Sequence, residues 1–510
     1  MARISLGDPP FPSSHKVRSA YIVSVPKLNL LSFSGNIRIL HLSWIAFFIS
    51  FVVWFNHAPL LASIRETFHL TDAQVKALLT LNVALTIPVR ILIGMLVDKF
   101  GPRLMYAVLL AVCGALCFFF AFATTYEMLA MARLLLGCVG AGFVIGIRLI
   151  SEWFPAKQVG FAEGIYGGWG NFGSAAAALS LPLVALAFGG PDAWRWAVAT
   201  TGVIALAYSG VFYALASNTP KGSTYFRPKK LGAMEVTSRG DLALYIFMQI
   251  PMMAALAILT WKLSPAGFKM ISDDTAMMIY IALAALLAWN IWQCLSVNRE
   301  ILAGHVVPDI HRYKFKQVAI LSFSYAVSFG SEIAVVSMLP LYFKDLYGLS
   351  LVQAGLVGSS FAIMNLIARP AGGLISDRIG RKFTMSLVML GIAVGYFAMS
   401  FMGNWPLWAA VTATVLCSFF VQAGCGAVYG IIPLIKRRLT GQIAGMSGAY
   451  GNVGSVAFLT VLSFVTPGTF FLVIAVTAVV ALVIVQLLDE PAGQIAEIMP
   501  DGTVQMIDVT

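Results

Sequence analysis

Two arginines stand inside long apolar runs at matching places. Arg90, Gly94, Asp98 and Gly101 have the spacing R-x3-G-x3-D-x2-G, and Arg369, Gly373, Asp377 and Gly380 repeat it 279 residues later. Each arginine precedes its aspartate by eight residues. At about 1.5 Å per residue that is roughly 12 Å from the end of a helix, close to the middle of a membrane-crossing segment. A guanidinium at that depth costs about 2.5–3.5 kcal/mol on insertion scales, so a counter-charge or a ligand must offset it. No Asp or Glu occupies the middle of the same two helices. An interhelical salt bridge that only holds the fold is one explanation. The other is a pair of unpaired guanidinium groups facing one cavity, whose planar forks of donors suit a flat oxyanion. Duplication of the arginine favours the anion site, which requires that neither side chain be neutralised by a protein carboxylate.

A second pair of motifs follows. Residues 164–174, GIYGGWGNFGS, and residues 445–455, GMSGAYGNVGS, share G-x2-G-x2-G-N-x-G-S at an offset of 281. Pro59 and Pro340, at the ends of the first helix of each half, keep the same offset. On a helix Gly164, Gly167 and Asn171 share one face, as do Gly445, Gly448 and Asn452, with Gly170 and Gly451 beside them. Small residues let a neighbouring helix approach closely, which accounts for the glycines but not for the amides. Asn171 and Asn452 therefore read as N–H donors to whatever lies between the helices. The Asp98 and Asp377 loops read as gate latches, with Arg148 and Glu152 as partners for their charges; a solvated interfacial pair is the plainer alternative. Glu332 lies seven residues after Tyr325, on nearly the same helix face, and is a candidate proton carrier. Its alternatives are a pairing partner or a snorkelling acid near the outer surface.

The elements that position these residues follow from composition. The chain has 510 residues, 59% hydrophobic and 11% charged, with a formal net charge of +11 and mean hydropathy +0.86. Soluble domains carry roughly 25% charged residues, so the solvent of this chain is a bilayer. Its positive charge sits in short loops between apolar runs, which fits membrane topology and not nucleic-acid binding. The six cysteines, Cys113, Cys117, Cys138, Cys294, Cys417 and Cys425, lie in apolar runs without metal-ligand spacing. About 20 apolar residues cross the hydrocarbon. Runs of that length fall near 40–64, 74–97, 104–124, 127–150, 160–187 and 193–215, then 241–263 and 275–296, then 317–341, 351–375, 383–402, 406–432, 441–465 and 468–488. This predicts an all-α membrane protein with about 14 spans, counted six, two and six. The expected division is a tail at 1–37, a six-helix bundle at 38–216, a two-helix insertion with basic loops at 217–316, a second six-helix bundle at 317–489 and an acidic tail at 490–510. Basic residues cluster in the N-terminal tail, at Lys99 and Arg103, at Lys221, Arg227, Lys229 and Lys230, from Arg299 to Lys316, at Arg378, Arg381 and Lys382, and at Lys436, Arg437 and Arg438. The positive-inside rule puts all of these, and both termini, in the cytoplasm. The N-terminal stretch, broken by Pro9, Pro10, Pro12 and Pro26, has no signal-peptide pattern.

Arg90 and Arg369 with their Asp-Gly loops resemble the major facilitator superfamily. The segment VGAGFVIGIRLISEWFPAKQVGFAEGIYGGWGNFGS (139–174), with its partner at 445–455, resembles the paired signatures of the nitrate/nitrite porter family, in the branch with two extra central helices. The resemblance spans about residues 40–490 and implies a major facilitator fold of two pseudo-symmetric six-helix bundles. It implies substrate contacts at Arg90, Arg369, Asn171 and Asn452, and cavity aromatics at Tyr325 and Phe329 in SYAVSFGSE, Phe143 in GAGFVIG, and Phe51. Without it, Tyr325 and Phe329, four residues apart, read as ordinary core. It implies alternating-access transport of nitrate and nitrite across the cell membrane by a monomer, through proton-coupled uptake or exchange for an internal anion. Neither catalytic nor metal residues nor a cofactor are expected. Another small anion, or a membrane sensor that binds nitrate but moves little of it, are the alternatives.

Overall fold

The computed structural model describes residues 29–225, 233–267, 269, 271–305, 307, 312–349, 351–462, 464–490, 494–498 and 504–508. Most of the N-terminal tail, with Pro9, Pro10, Pro12 and Pro26, and the basic cluster Arg227, Lys229 and Lys230 lie outside them. The first repeat contains α1 (Gly35–Phe55), α2 (Leu61–Phe68), α3 (Asp72–Ala84), α4 (Thr86–Phe100), α5 (Pro102–Ala121), α6 (Tyr126–Leu136), α7 (Gly142–Trp153), α8 (Ala156–Asn171), α9 (Gly173–Phe188) and α10 (Ala193–Leu215). Between the repeats come α11 (Arg239–Phe247), α12 (Gln249–Leu263), α13 (Asp273–Val297) and the short α14 (Arg299–Leu302). The second repeat contains α15 (Phe315–Tyr347), α16 (Leu351–Ile363), α17 (Asn365–Ile379), α18 (Arg381–Met399), α19 (Leu407–Ile435), α20 (Thr440–Leu462) and α21 (Pro467–Val485).

Twelve stretches among the described residues are long and apolar enough to cross a membrane, including Arg239–Leu263 and Asp273–Val297 between the repeats. The runs expected near 351–375 and 441–465 are helical but not among the twelve. The first is broken at Met364 and carries Arg369, Asp377 and Arg378; the second is dominated by glycine and polar residues. Pro340 does not end its helix: α15 continues to Tyr347. The acidic tail holds a feature not expected from its composition. Strand β1 (Gln494–Ile498) pairs antiparallel with β2 (Val504–Asp508), Gln494 opposite Asp508 and Ile498 opposite Val504.

The helix ends explain the spacing of the repeated motif. Gly101 and Gly380 close α4 and α17 with φ of 89° and 107°, a region that side-chain-bearing residues rarely enter. There the chain reverses and starts α5 or α18 at once, which keeps the preceding aspartate in the last turn. Proline sets the breaks above the arginines. Pro88 and Pro370 lack the N–H that would continue the ladder, and α4 and α17 begin only two and five residues before them. The carbonyl of Leu366, left without its helical donor by Pro370, accepts instead from Trp169 Nε1 at 3.3 Å. The two repeats interlock: α8 packs on α17, and α20 packs on α4. The inserted α12 lies against α20 and α3, tied by Tyr450, whose hydroxyl donates to Met248 O at 2.8 Å. Outermost, α13 presents Met277, Met278, Ile281, Trp289 and Trp292 as exposed apolar side chains, as a lipid-facing helix does.

Candidate functional site

Each arginine is seated on the glycine face of the opposite repeat. A methyl group built on Gly164 would stand 2.6 Å from Arg369 O, and one on Gly445 would stand 2.6 Å from Arg90 O. At the next position, Gly167 would place it 3.2 Å from Arg369 Nη1, and Gly448 3.1 Å from Arg90 Cδ. The glycines thus remove side chains where a guanidinium must pass. Gly451 serves the intra-repeat contact: its methyl would meet Tyr325 Cε1 at 2.7 Å, while Gly170 packs against Phe47.

Arg90 and Arg369 are both buried, 1% and 2% exposed, and both stand over Phe329, with Cζ 5.2 Å and 5.7 Å from its ring centre. Phe143 and Trp54 flank Arg90 at 5.9 Å and 6.0 Å. Tyr325 lies parallel to Phe329 at 5.0 Å and to Phe143 at 6.2 Å. Tyr429 meets Phe143 and Tyr325 edge-on at 4.4 Å and 4.8 Å. Tyr325, Phe329 and Phe143 therefore form a cluster beside the arginines. Phe51 does not join it. Its ring packs on Phe47, Trp54 and Phe55, and Trp54, one turn further along α1, takes the place beside Arg90.

The two guanidinium groups differ in their partners. Arg90 donates from Nε to Gly140 O at 3.1 Å and from Nη1 to Gly448 O at 2.6 Å. Among the described residues it has no carboxylate partner and no hydrogen bond from its Nη2. Arg369, by contrast, donates from Nη2 to Glu332 Oε2 at 2.7 Å and from Nε to Gln422 Oε1 at 3.3 Å. With its amide turned so that oxygen faces the guanidinium, Asn171 accepts from Nη2 at 2.7 Å and from Nη1 at 3.1 Å. The expectation of two uncompensated arginines is corrected: Arg369 is neutralised by a carboxylate from the neighbouring helix α15. For Glu332 the pairing-partner reading holds and the snorkelling one does not. It is buried, 4% exposed, far from a snorkelling position, and Asn365 Nδ2 donates to its Oε1 at 2.9 Å. Asn171 holds Arg369 through oxygen instead of presenting N–H to an anion. Asn452 donates to Gly448 O at 3.4 Å, and its Oδ1 has no hydrogen-bond partner. Burial also leaves the Tyr325 hydroxyl and Gln422 Nε2 without partners, so a hydroxyl and an amide donor lie unused beside the arginines. Sequence reading missed Trp54, Gln422, Asn365 and Tyr429. Only Trp54 had a signal, its spacing of three from Phe51.

The latches are built on the same crossings. Asp98 accepts from the free N–H groups that open α20, Gly441 N at 3.2 Å and Gln442 N at 3.0 Å, and forms an ion pair with Arg148, whose Nε lies 2.8 Å from Oδ1. Arg148 also pairs with Glu152, which Arg437 approaches at 3.7 Å. Asp377 accepts from Phe161 N at 2.9 Å and faces Arg381 Nη2 at 3.6 Å. Phe161 is the counterpart of Gln442 at the offset of 281, so the latch is duplicated as well. Asp98 and Arg148 are buried, which removes the solvated-pair alternative. Both latches tie one repeat to the other at the end carrying the basic loops, so that end is closed.

The Major Facilitator Superfamily profile matches residues 43–459 and again 321–498. The chain belongs to that superfamily, in its nitrate/nitrite porter family. It is 46% identical over 91% of its length to the nitrate/nitrite transporter NrtP of Picosynechococcus sp., covering 95% of that protein. It is 43% identical over 92% of its length to NrtP of Nostoc punctiforme, again covering 95%. A more distant relative is the high-affinity nitrate transporter 2.3 of Oryza sativa, at 28% identity over 88% of this chain and 74% of that one. Among solved structures, the proton:xylose symporter XylE superimposes with a TM-score of 0.58 at 16% identity, over 89% of this chain and 96% of that one. That likeness is one of fold.

Proposed function

We propose that this porter carries nitrate, and nitrite with it, by alternating access, with Arg90 as the group that receives the anion. The observation that carries the proposal is a buried guanidinium with spare donors, ringed by three aromatic side chains, and without a carboxylate partner among the described residues. The nitrate/nitrite assignment of the NrtP relatives supports the choice of anion. Nitrate is flat, singly charged and weakly hydrated. It can accept from the Arg90 fork while aromatic faces exclude water, and the Tyr325 hydroxyl and Gln422 amide complete its donors. With the basic loops in the cytoplasm, the latched end is the inner one, and both termini lie inside. Two inserted helices between two six-helix repeats make fourteen spans, and the monomer is the transporting unit.

Uptake against an inside-negative potential costs about 2.3 kcal/mol per charge per 100 mV, so the anion needs a companion. Glu332 supplies the site for one. Ionised, it balances Arg369 and leaves one net positive charge at the centre; protonated, it leaves two and frees Arg369 Nη2 for the passenger. Proton and anion then load together. Proteoliposomes test this with nitrate uptake measured with and without an inward proton gradient. The gradient should stimulate the native protein several-fold and leave Glu332→Gln unaffected. Stimulation of both alike removes Glu332 from the coupling. Uptake driven only by internal nitrite replaces symport by exchange, the activity named for a Thermus thermophilus relative at 27% identity, described as a probable nitrate/nitrite antiporter.

A further inference from the structure

Glu163 belongs neither to the latches nor to the arginine pair. It lies on α8 between the latch, where Asp377 binds Phe161 N, and the centre, where Gly164 touches the backbone of Arg369. It is 2% exposed. Among the described residues neither carboxyl oxygen has a hydrogen-bond partner and no ion pair is formed. Of the elements packed against α8, α17 sets Asp377 against it and holds Arg369 in its own ion pair. Helix α7 carries Arg148 and Glu152, bound to Asp98 and to each other. Helix α19 carries Cys425 and Tyr429, and α1 carries Arg38 and His41, bonded to Leu215 O and Leu30 O. Helix α9 has no titratable side chain. The charge that acts on Glu163 from these neighbours is the negative one of Asp377.

A carboxylate stripped of water, unbonded and beside another carboxylate is unfavourable on every count. We infer that Glu163 is a second proton-binding site, occupied while α8 and α17 are closed on each other and emptied when they part. Parting admits water from the basic-loop side and returns the group to an ordinary carboxyl, which titrates near 4.3. Closing the inner gate therefore takes up one proton from that side, and opening it releases one. The sign follows from linkage: the proton favours the closed form, so the closed-to-open ratio falls as pH rises, by up to about tenfold per unit. The repeat shows that the fold does not need this acid. At the offset of 281 its counterpart is Ala444, fully buried at the equivalent crossing. A device of this kind makes the inner gate sensitive to the pH on its own side, separately from any proton that travels with nitrate.

The inference rests on alternating access. Its test is the distance between a spin label on α8 and one on α17, near the basic loops, measured in the full-length protein in nanodiscs from pH 5.5 to 8.5. The expected result is a closed population that falls steeply with pH in the native protein. In Glu163→Gln and Glu163→Ala it should be flat, with nitrate affinity at the centre within twofold of native. The same pH dependence in native protein and both variants overturns the inference. A single distance at every pH, with and without nitrate, would instead overturn alternating access itself.

Discussion

Arg90 and Arg369 occupy equivalent points of a duplicated fold, stand over the same phenyl ring, and are seated on equivalent glycine faces. Their nearest charges differ. The offset of 281 that relates Pro59 to Pro340 relates Phe51 to Glu332, so the second repeat supplies an acid where the first supplies a ring. One arginine is thereby balanced by a carboxylate, and the other has none among the described residues. The asparagines diverge in step: Asn171 accepts from Arg369, whereas Asn452 bonds the carbonyl that Arg90 also uses. Duplication provides the geometry of a symmetric clamp, and one substitution together with a different bonding of the paired asparagines makes its two sides unequal. Glu163 opposite Ala444 adds a third asymmetry at the gate.

An acid placed beside Arg90 should remove the difference between the two arginines. Trp54→Glu, at the side chain that faces Arg90, should give that arginine the counter-ion that Arg369 has, and nitrate uptake should fall by about 10- to 100-fold, the loss of roughly 1.5–3 kcal/mol of charge-assisted bonding. Uptake at native rates would show that Arg90 does not depend on lacking a partner. Removing the native acid sharpens the contrast. Glu332→Gln leaves Arg369 buried without its carboxylate, which costs about 3–5 kcal/mol, and the detergent-solubilised variant should melt several degrees lower. Added nitrate should recover more of that loss than it adds to the native protein, because the anion can stand in for the carboxylate. Asn171→Ala should cost more stability than Asn452→Ala, by about 1 kcal/mol, since only the first strips a bond from a charged group. The smallest effect is expected at the surface. Lys314 and Lys316 bond to Asp489 at 2.8 Å and 3.2 Å and hold its carboxyl below the usual range. That contribution is present at neutral pH and lost as pH falls through the carboxyl range. The pair is exposed, and Asp489→Asn should leave melting temperature and uptake nearly unchanged.

Much of the site was legible because duplication marks it. The arginines, the D-x2-G loops and the glycine faces recur at fixed offsets, and a repeat at helical spacing states both position and depth. Partnership was not legible. Glu332 and Arg369 are 37 residues apart on different helices, and Glu332 has no duplicate to mark it. Whether it reaches the guanidinium or the lipid surface depends on the rotation of α15. The same rotation at α1 decides that Trp54 and not Phe51 faces Arg90. The offset did contain the answer in one respect: aligning the repeats sets Phe51 against Glu332, and that mismatch, read as chemistry, predicts unequal arginines. The strands at 494–498 and 504–508 gave no sign in an acidic tail.

Equilibrium nitrate binding to the purified protein at pH 7.5 decides whether Arg90 receives the anion while Glu332 balances Arg369. Arg90→Lys keeps the charge but loses the fork, and should weaken nitrate binding by about 100-fold or more; Arg369→Lys should weaken it by about tenfold or less. Equal losses, or a larger loss at Arg369, would contradict the account.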